Sequence, residues 1–219
     1  MKIISLSHII ENGIRTFPGV PGPIIGDYLS HDDSRGRYAP GTEFQIGKIE
    51  MVSNTGTYVD APFHRFRDGA DIARLPLERI ANIPGVVIHH DPALGLAIGI
   101  DALEGVEVSG RAVLIRTGWD RHFGEDRYFD PHPYISANLC ARLVSSGAAL
   151  IGIDSLNVDS MATNERPVHT ALLANEIPIV EHLTNLDRLP ADGFRFFAIP
   201  LEVRGVGSFP CRAFAIHED

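Results

Sequence analysis

The strongest constraint on the fold is a series of short, unbroken apolar runs through the middle of the chain. They are Val86-Val87-Ile88, Ala112-Val113-Leu114-Ile115, Ala148-Ala149-Leu150-Ile151 and Ile177-Pro178-Ile179-Val180. Continuous runs of this length, rich in β-branched residues and bounded by Gly, Pro or polar residues, read as strands buried on both faces. Helical signals lie between and after them. Ser136 is a good N-cap for a helix running to Ser146, with Gly147 at its end and Leu139, Cys140, Leu143 and Val144 as its apolar face. Pro167 suits the first position of a helix that carries His169, Leu172 and Leu173. Lys2–Leu6, Phe44–Val52, Phe194–Val203 and Arg212–Ile216 read as further strands, the last two joined by a Gly- and Pro-rich connection over 205–210. Ile72–Ile80 and Ile98–Val106 read as short helices. Thr16–Pro23 reads as a loop, and His31–Gly41 as a mobile surface loop in a position to serve as a lid. The strands are too many for a simple doubly wound domain, so the expected class is α/β with a mixed β/α/β arrangement.

Composition narrows the function classes. The chain has 219 residues, 44% hydrophobic and 21% charged, as expected of one globular domain. Its formal net charge of -9 argues against a nucleic-acid partner, which would require a basic face. No apolar run approaches the roughly 20 residues needed to span a bilayer, so no membrane partner is expected. The N-terminal Met1–His8 has no proper apolar signal region, and the expected compartment is the cytoplasm. Cys140 and Cys211 do not make a disulfide framework and read as small buried hydrophobes.

The chemistry concentrates in Ser53–His64. If that stretch is extended, Asn54, Tyr58, Asp60 and His64 point to one face, because side chains alternate along a strand. Phe17, on its Pro/Gly loop, has the character of an aromatic pocket wall or a cap on the core. Downstream, Glu181 ends the Ile177–Val180 run with a carboxylate, which requires a partner if buried. His169 precedes it by twelve residues. Asp60, His169 and Glu181 together offer two carboxylates and an imidazole, a donor set suited to a divalent cation with open positions. Asp154, Arg116 and Trp119, near the ends of apolar strands, are further candidates for lining a pocket. His89 and His90 are neighbours in a strand and face opposite ways, so they do not share an ion easily.

These segments resemble the cyclase superfamily, which includes bacterial kynurenine formamidases and related metal-dependent hydrolases. The resemblance covers nearly the whole chain. Ile4-Ser5-Leu6-Ser7-His8 is similar to the family's opening strand, and Phe17-Pro18-Gly19 to its aromatic-Pro-Gly loop. Ile115–Trp119 and Ile151–Ser155 are similar to its internal strands, and Gly207–Ala213 to its Gly-Ser-Pro-x-Arg-Ala closing segment with one residue inserted. The signature His-x-Gly-Thr-His-x-Asp-x-Pro-x-His is matched by Asn54–His64, with Asn54 and Tyr58 standing where the family has histidines.

The resemblance implies a single swivelling β/β/α-type cyclase domain over residues 1–219 and a homo-oligomer, dimer or tetramer. It also implies a small-molecule substrate whose amide, cyclic imide, lactam or lactone carbonyl is hydrolysed, with no nucleotide or organic cofactor. Carried over position by position, Asp60, His169 and Glu181 are metal ligands and His64 a proton-transfer group. Two imidazole ligands are missing, so the implied centre is mononuclear, with zinc or manganese as the ion. Phe17 and Asn54 are placed at the substrate. Two other readings stay open: a metal-independent acid–base enzyme using Tyr58, His64 and Asp60, and a small-molecule-binding relative without catalysis.

Overall fold

A computed structural model describes residues 1–218. In chain order the strands are β1 (Lys2–Ser5), β2 (Ile24–Leu29), β3 (Ile46–Glu50), β4 (Tyr58–Asp60), β5 (Ile83–His89), β6 (Ala97–Ile98), β7 (Ala112–Arg116), β8 (Tyr134–Ile135), β9 (Leu150–Ile153), β10 (Ile179–Glu181), β11 (Asp192–Pro200) and β12 (Ser208–His217). The helices are α1 (His31–Ser34), α2 (Ala137–Ser145) and α3 (Pro167–Ala174).

The main sheet runs β1-β12-β11-β5-β7-β9-β10-β4, and β4 pairs with both β10 and β12, which closes the sheet into a barrel. The four apolar runs are the parallel part, β5-β7-β9-β10, and the remaining pairs are antiparallel. This is the mixed α/β arrangement expected. Alternation along the strands builds two cores. Val59, Leu114, Val180, Phe196 and Ala213 pack together inside the barrel. Their neighbours Val113, Ile115, Ile151 and Ile179 face outward and pack with Leu139 and Leu143 of α2 and Val168, Leu172 and Leu173 of α3. Each fully buried aliphatic side chain of this kind contributes about 1.5–3 kcal/mol. Both helices start as expected: Ser136 Oγ accepts from the Leu139 N–H, and Pro167 occupies the first turn of α3. Cys140 and Cys211 are free and buried.

Several elements differ from the sequence expectation, each for a local reason. Ser53–His64 is not one strand; only Tyr58–Asp60 is. Gly56 adopts φ +66° ahead of it, and Pro62 opens a 3₁₀ turn over Pro62–His64 behind it. The expected helix over 72–80 is two separate 3₁₀ turns, Ile72–Arg74 and Leu77–Arg79, divided by Pro76. That over 98–106 is a single 3₁₀ turn, Ile100–Leu103. The strand over 44–52 shortens to β3, whose residues are all exposed and which pairs only with β2 as a separate ribbon. The segment expected to be a lid begins with α1, capped by Ser30, and buries Ser34; none of its residues lines the cavity described below. The last strand starts earlier than expected, because Ser208–Pro210 pairs with β4 before the chain joins β1 and β11.

Candidate active site

The site lies on the outward face of the barrel beneath α3. Val59 and Val180 point into the barrel, so alternation turns Tyr58, Asp60 and Glu181 the other way, toward the helix. The antiparallel register of β4 and β10 sets Tyr58 opposite Glu181, and the Tyr58 hydroxyl donates to Glu181 Oε2 at 2.6 Å. On the other edge of β4, the register of β12 sets Ser208 opposite Asp60, and the Ser208 hydroxyl donates to Asp60 Oδ1. His64 follows on the 3₁₀ turn. Its Nδ1 lies 2.8 Å from Ser208 Oγ. The single hydroxyl proton is committed to Asp60, so Ser208 Oγ accepts from His64 Nδ1–H, leaving Nε2 as the unprotonated ring nitrogen. Gly207 permits this approach: a Cβ there would meet the His64 backbone nitrogen at 2.3 Å.

His169, in the first turn of α3, completes the centre. The Asp159 carboxylate accepts from the Val168 N–H at 2.8 Å, the His169 N–H at 3.0 Å and His169 Nδ1 at 2.7 Å. One carboxylate therefore satisfies helix N-terminal donors and fixes the imidazole. His169 Nε2 then faces Glu181 Oε1 at 3.5 Å and Asp60 Oδ2 at 3.6 Å. Asp60, His64 and His169 each offer a ligand atom within 4.8 Å of the others. Asp60 Oδ2 is buried and has no hydrogen-bond partner.

Electrostatics in this buried cluster follow from geometry. Burial alone would suppress the His169 charge, but Glu181 beside it, the bond to Asp159 and the nearby Asp60 carboxylate raise its pKa to about 10. Burial, reinforced by the Asp60 charge and opposed by His169, pushes Glu181 up to about 7. Burial acts to raise Asp60 as well, and there the adjacent His169 and the His64 and Ser208 contacts win, so its pKa is lowered. Burial and the Glu181 and Asp60 charges hold the Tyr58 pKa well above its usual value. Tyr58 is therefore a hydrogen-bond donor here and not a phenolate. The two carboxylates around His169 Nε2 call for a positive charge at that point, supplied by a proton or by a cation.

Asn54, Tyr58, His64, His169, Glu181 and Phe17 line one cavity of about 370 Å³, together with Val20, Val52, Asn157, Arg65 and Arg166. Of the residues nominated as catalytic, substrate-binding or ligating, all but the fully buried Asp60 reach the cavity wall, and Asp60 sits directly behind His64 and His169. Asp154 does not line it. Its carboxylate accepts from the Thr117 N–H and hydroxyl and the Gly118 N–H, holding the turn after β7, and Trp119 packs with Tyr128 and Leu156. Arg116 is likewise outside the cavity, and His90 bonds to the Gly95 carbonyl. Sequence reasoning missed Asp159, Ser208, Asn157 and the two arginines. Asp159 carries no spacing signal, whereas Ser208 was in reach as a residue of the closing segment.

A barrel with its donor cluster under one helix defines a cyclase-type fold. The chain belongs to the family described as Putative cyclase, whose model matches residues 4–160. It is 33% identical over 213 residues to a kynurenine formamidase of Geobacillus thermodenitrificans, covering 96% of this chain and 95% of that relative. It is 28% identical over 213 residues to one of Bacillus anthracis, covering 97% and 96%. In fold it is similar to isatin hydrolase A of Ralstonia solanacearum, with a TM-score of 0.86 and 22% identity, covering 99% of this chain and 92% of the other.

Proposed function

We propose that this chain is a hydrolase acting on the amide or cyclic imide, lactam or lactone carbonyl of a small molecule, with one divalent cation held by Asp60, His169 and Glu181. The observation that carries the reading is the buried Asp60 Oδ2, free of hydrogen bonds and 3.6 Å from the His169 nitrogen that Asp159 has oriented toward it. Buried polar atoms are rarely left without a partner, and an unsatisfied carboxylate oxygen facing an imidazole nitrogen and a second carboxylate is a donor set that fits zinc or manganese. The kynurenine formamidase relatives, matched over nearly their full length, support the same reaction class.

A cation at these donors would supply Lewis-acid polarisation of the scissile carbonyl. The protein groups supply the rest. Phe17, Val20 and Val52 give the substrate an apolar wall. Asn54 and the Tyr58 hydroxyl offer polar contacts on the floor. His64, about one-third exposed to the cavity and held through Nδ1 by Ser208, accepts a proton at Nε2 and returns it to the departing group. The basicity of His169 favours a second reading, a metal-independent acid–base site in which protonated His169 neutralises the two acids and the Tyr58 hydroxyl turns from Glu181 to donate to the carbonyl.

Elemental analysis of protein purified without chelator separates the two readings, run beside a hydrolysis screen of N-formyl aromatic amines, cyclic imides and lactones. About one equivalent of a divalent transition metal with turnover is expected. Turnover from metal-free protein, with no gain on adding zinc or manganese, would transfer the role to Tyr58. Tight binding of these compounds with no turnover in either state would make the chain a binding relative.

A further inference from the structure

One buried amide on the cavity wall carries donors that the rest of the site does not use. Asn157 lies between β9 and α3 and lines the cavity, although it is only 5% exposed. Its neighbours are committed elsewhere: Leu156 packs with Trp119 and Tyr128, and Val158 with Ile151, Ile153 and Val168. The backbone is pinned at this point. The Val158 N–H donates to Glu181 Oε1 at 2.8 Å, and the Val158 carbonyl accepts from the Ile135 N–H at 2.9 Å. The amide has one orientation. Asn157 Oδ1 accepts from the Asp159 N–H at 2.9 Å, and because that N–H can only donate, Nδ2 takes the other side, toward Glu181. Glu181 Oε2 already holds the Tyr58 hydroxyl at 2.6 Å. Asn157 Nδ2 stands 3.5 Å from that oxygen, at the outer limit of a hydrogen bond, and among the described residues this is its one partner. The two N–H groups of a buried amide are thus nearly unspent, which is rare for buried donors. The acceptor missing from this arrangement is one that a ligand brings into the cavity. In the reaction proposed above that acceptor is the scissile carbonyl oxygen, which has two lone pairs to share.

We propose that Asn157 is a catalytic residue: its Nδ2 donates to the oxygen of the scissile carbonyl and holds the negative charge that develops there. A water oxygen bonds to the carbonyl carbon as its proton passes to His64 Nε2, and the π pair moves onto the oxygen held by Asn157. The pair returns as the bond to the departing nitrogen breaks, and His64 delivers the proton to that nitrogen, so that acid and amine leave. Tyr58, whose proton is spent on Glu181, does not compete for this role. The catalytic step rests on the hydrolase reading; the contact between Asn157 and a carbonyl oxygen does not.

The test pairs a binding measurement with a turnover measurement on the wild type, Asn157→Ser and Asn157→Asp. Each variant keeps an oxygen to accept from the Asp159 N–H and removes the Nδ2 donor, so either one serves if the other fails to fold. Calorimetric titration compares formanilide with N-methylaniline, which has the same aromatic amine and no carbonyl. The wild type is expected to bind formanilide several-fold tighter, the value of a neutral hydrogen bond, and both variants to lose that preference. For formanilide hydrolysis, kcat is expected to fall about 100- to 1,000-fold, with KM changed only several-fold. Metal content and the pH dependence of kcat should stay as in the wild type, which a role exerted through Glu181 or Asp159 would not allow. No preference for formanilide in the wild type, or a preference that survives both substitutions, would overturn the contact. A kcat within about threefold of the wild type, or a loss that comes with a shifted pH profile and lost metal in both variants, would overturn the catalytic role. A preference that both variants lose, in a protein that hydrolyses no formanilide, supports the contact and removes the hydrolase reading instead.

Discussion

Asp159 Oδ2 takes two hydrogen bonds from His169, one from its backbone N–H at 3.0 Å and one from its Nδ1 at 2.7 Å. The helix end and the imidazole are therefore set by one carboxylate. Any change in how α3 begins is a change in where His169 Nε2 points, and with it the distance to Asp60 and Glu181.

Asp159→Asn tests that coupling. The amide keeps one acceptor but loses the charge that orients the ring and supports its basicity. Metal affinity is expected to fall about 10- to 100-fold, the usual cost of losing a carboxylate behind a ligating histidine. A smaller loss in stability, about 1 kcal/mol, comes from the weakened helix start. Calorimetric metal titration and a thermal melt measure the two effects. Unchanged metal affinity with a lowered melting temperature would leave Asp159 as a helix cap alone.

Ser208→Ala tests the assignment of the His64 tautomer. Removing the hydroxyl frees the ring to rotate and leaves Asp60 Oδ1 without its donor. The expected result is a fall in kcat of about 10- to 100-fold with KM little changed, since proton transfer by a positioned base is worth roughly 100-fold or more. Steady-state kinetics on a screened substrate decide it. A normal kcat would mean that His64 does not depend on this bond.

The contrast between these two residues shows what sequence could and could not reveal. The parallel strands were legible because burial on both faces forces continuous apolar runs. Glu181 is a legible candidate because a carboxylate ending such a run must be partnered if buried, whereas Asp60 and His169 are nominated beside it chiefly by the family resemblance. Ser208 falls within an expected connection, since Gly205, Gly207 and Pro210 signal a turn. In the structure those residues belong to the approach and start of β12, where Pro210 pairs with Tyr58 and the small Gly207 lets the chain pass against His64. Asp159 lies between β9 and α3 with no periodic pattern around it, and its role exists only once α3 is folded above it. His182 carries no signal in the sequence, because its partners, Tyr128 and Tyr58, are remote along the chain.

Tyr58→Phe distinguishes support of Glu181 from acid catalysis. With a pKa held well above its usual value, the hydroxyl stays protonated throughout any working range and donates to Glu181 Oε2. Under the metal-assisted reading, deletion should reduce kcat/KM about tenfold, the value of one charge-assisted hydrogen bond, and leave metal content unaltered. A loss of 100- to 10,000-fold at full metal occupancy would place Tyr58 in proton transfer.

His182 should make the protein sensitive to acid. Burial, and then the nearby His8, lower its pKa to about 3, and its ring is bonded to the Tyr128 hydroxyl at 2.8 Å. The unfolded chain binds a proton on this residue near pH 6.5, which the folded chain refuses until about pH 3. Its contribution to stability is therefore full above about pH 6.5 and is lost as pH falls toward 3, at up to about 1.4 kcal/mol per pH unit. His8, whose pKa burial lowers to about 4, acts in the same direction. His182→Asn removes one of these protons while suiting the local backbone, because φ there is 57° and Asn tolerates the left-handed region. Urea unfolding between pH 7.5 and 4.5 should show the variant losing less stability than the wild type, with the two curves converging as pH falls. Parallel curves would mean that His182 titrates alike in the folded and unfolded chains.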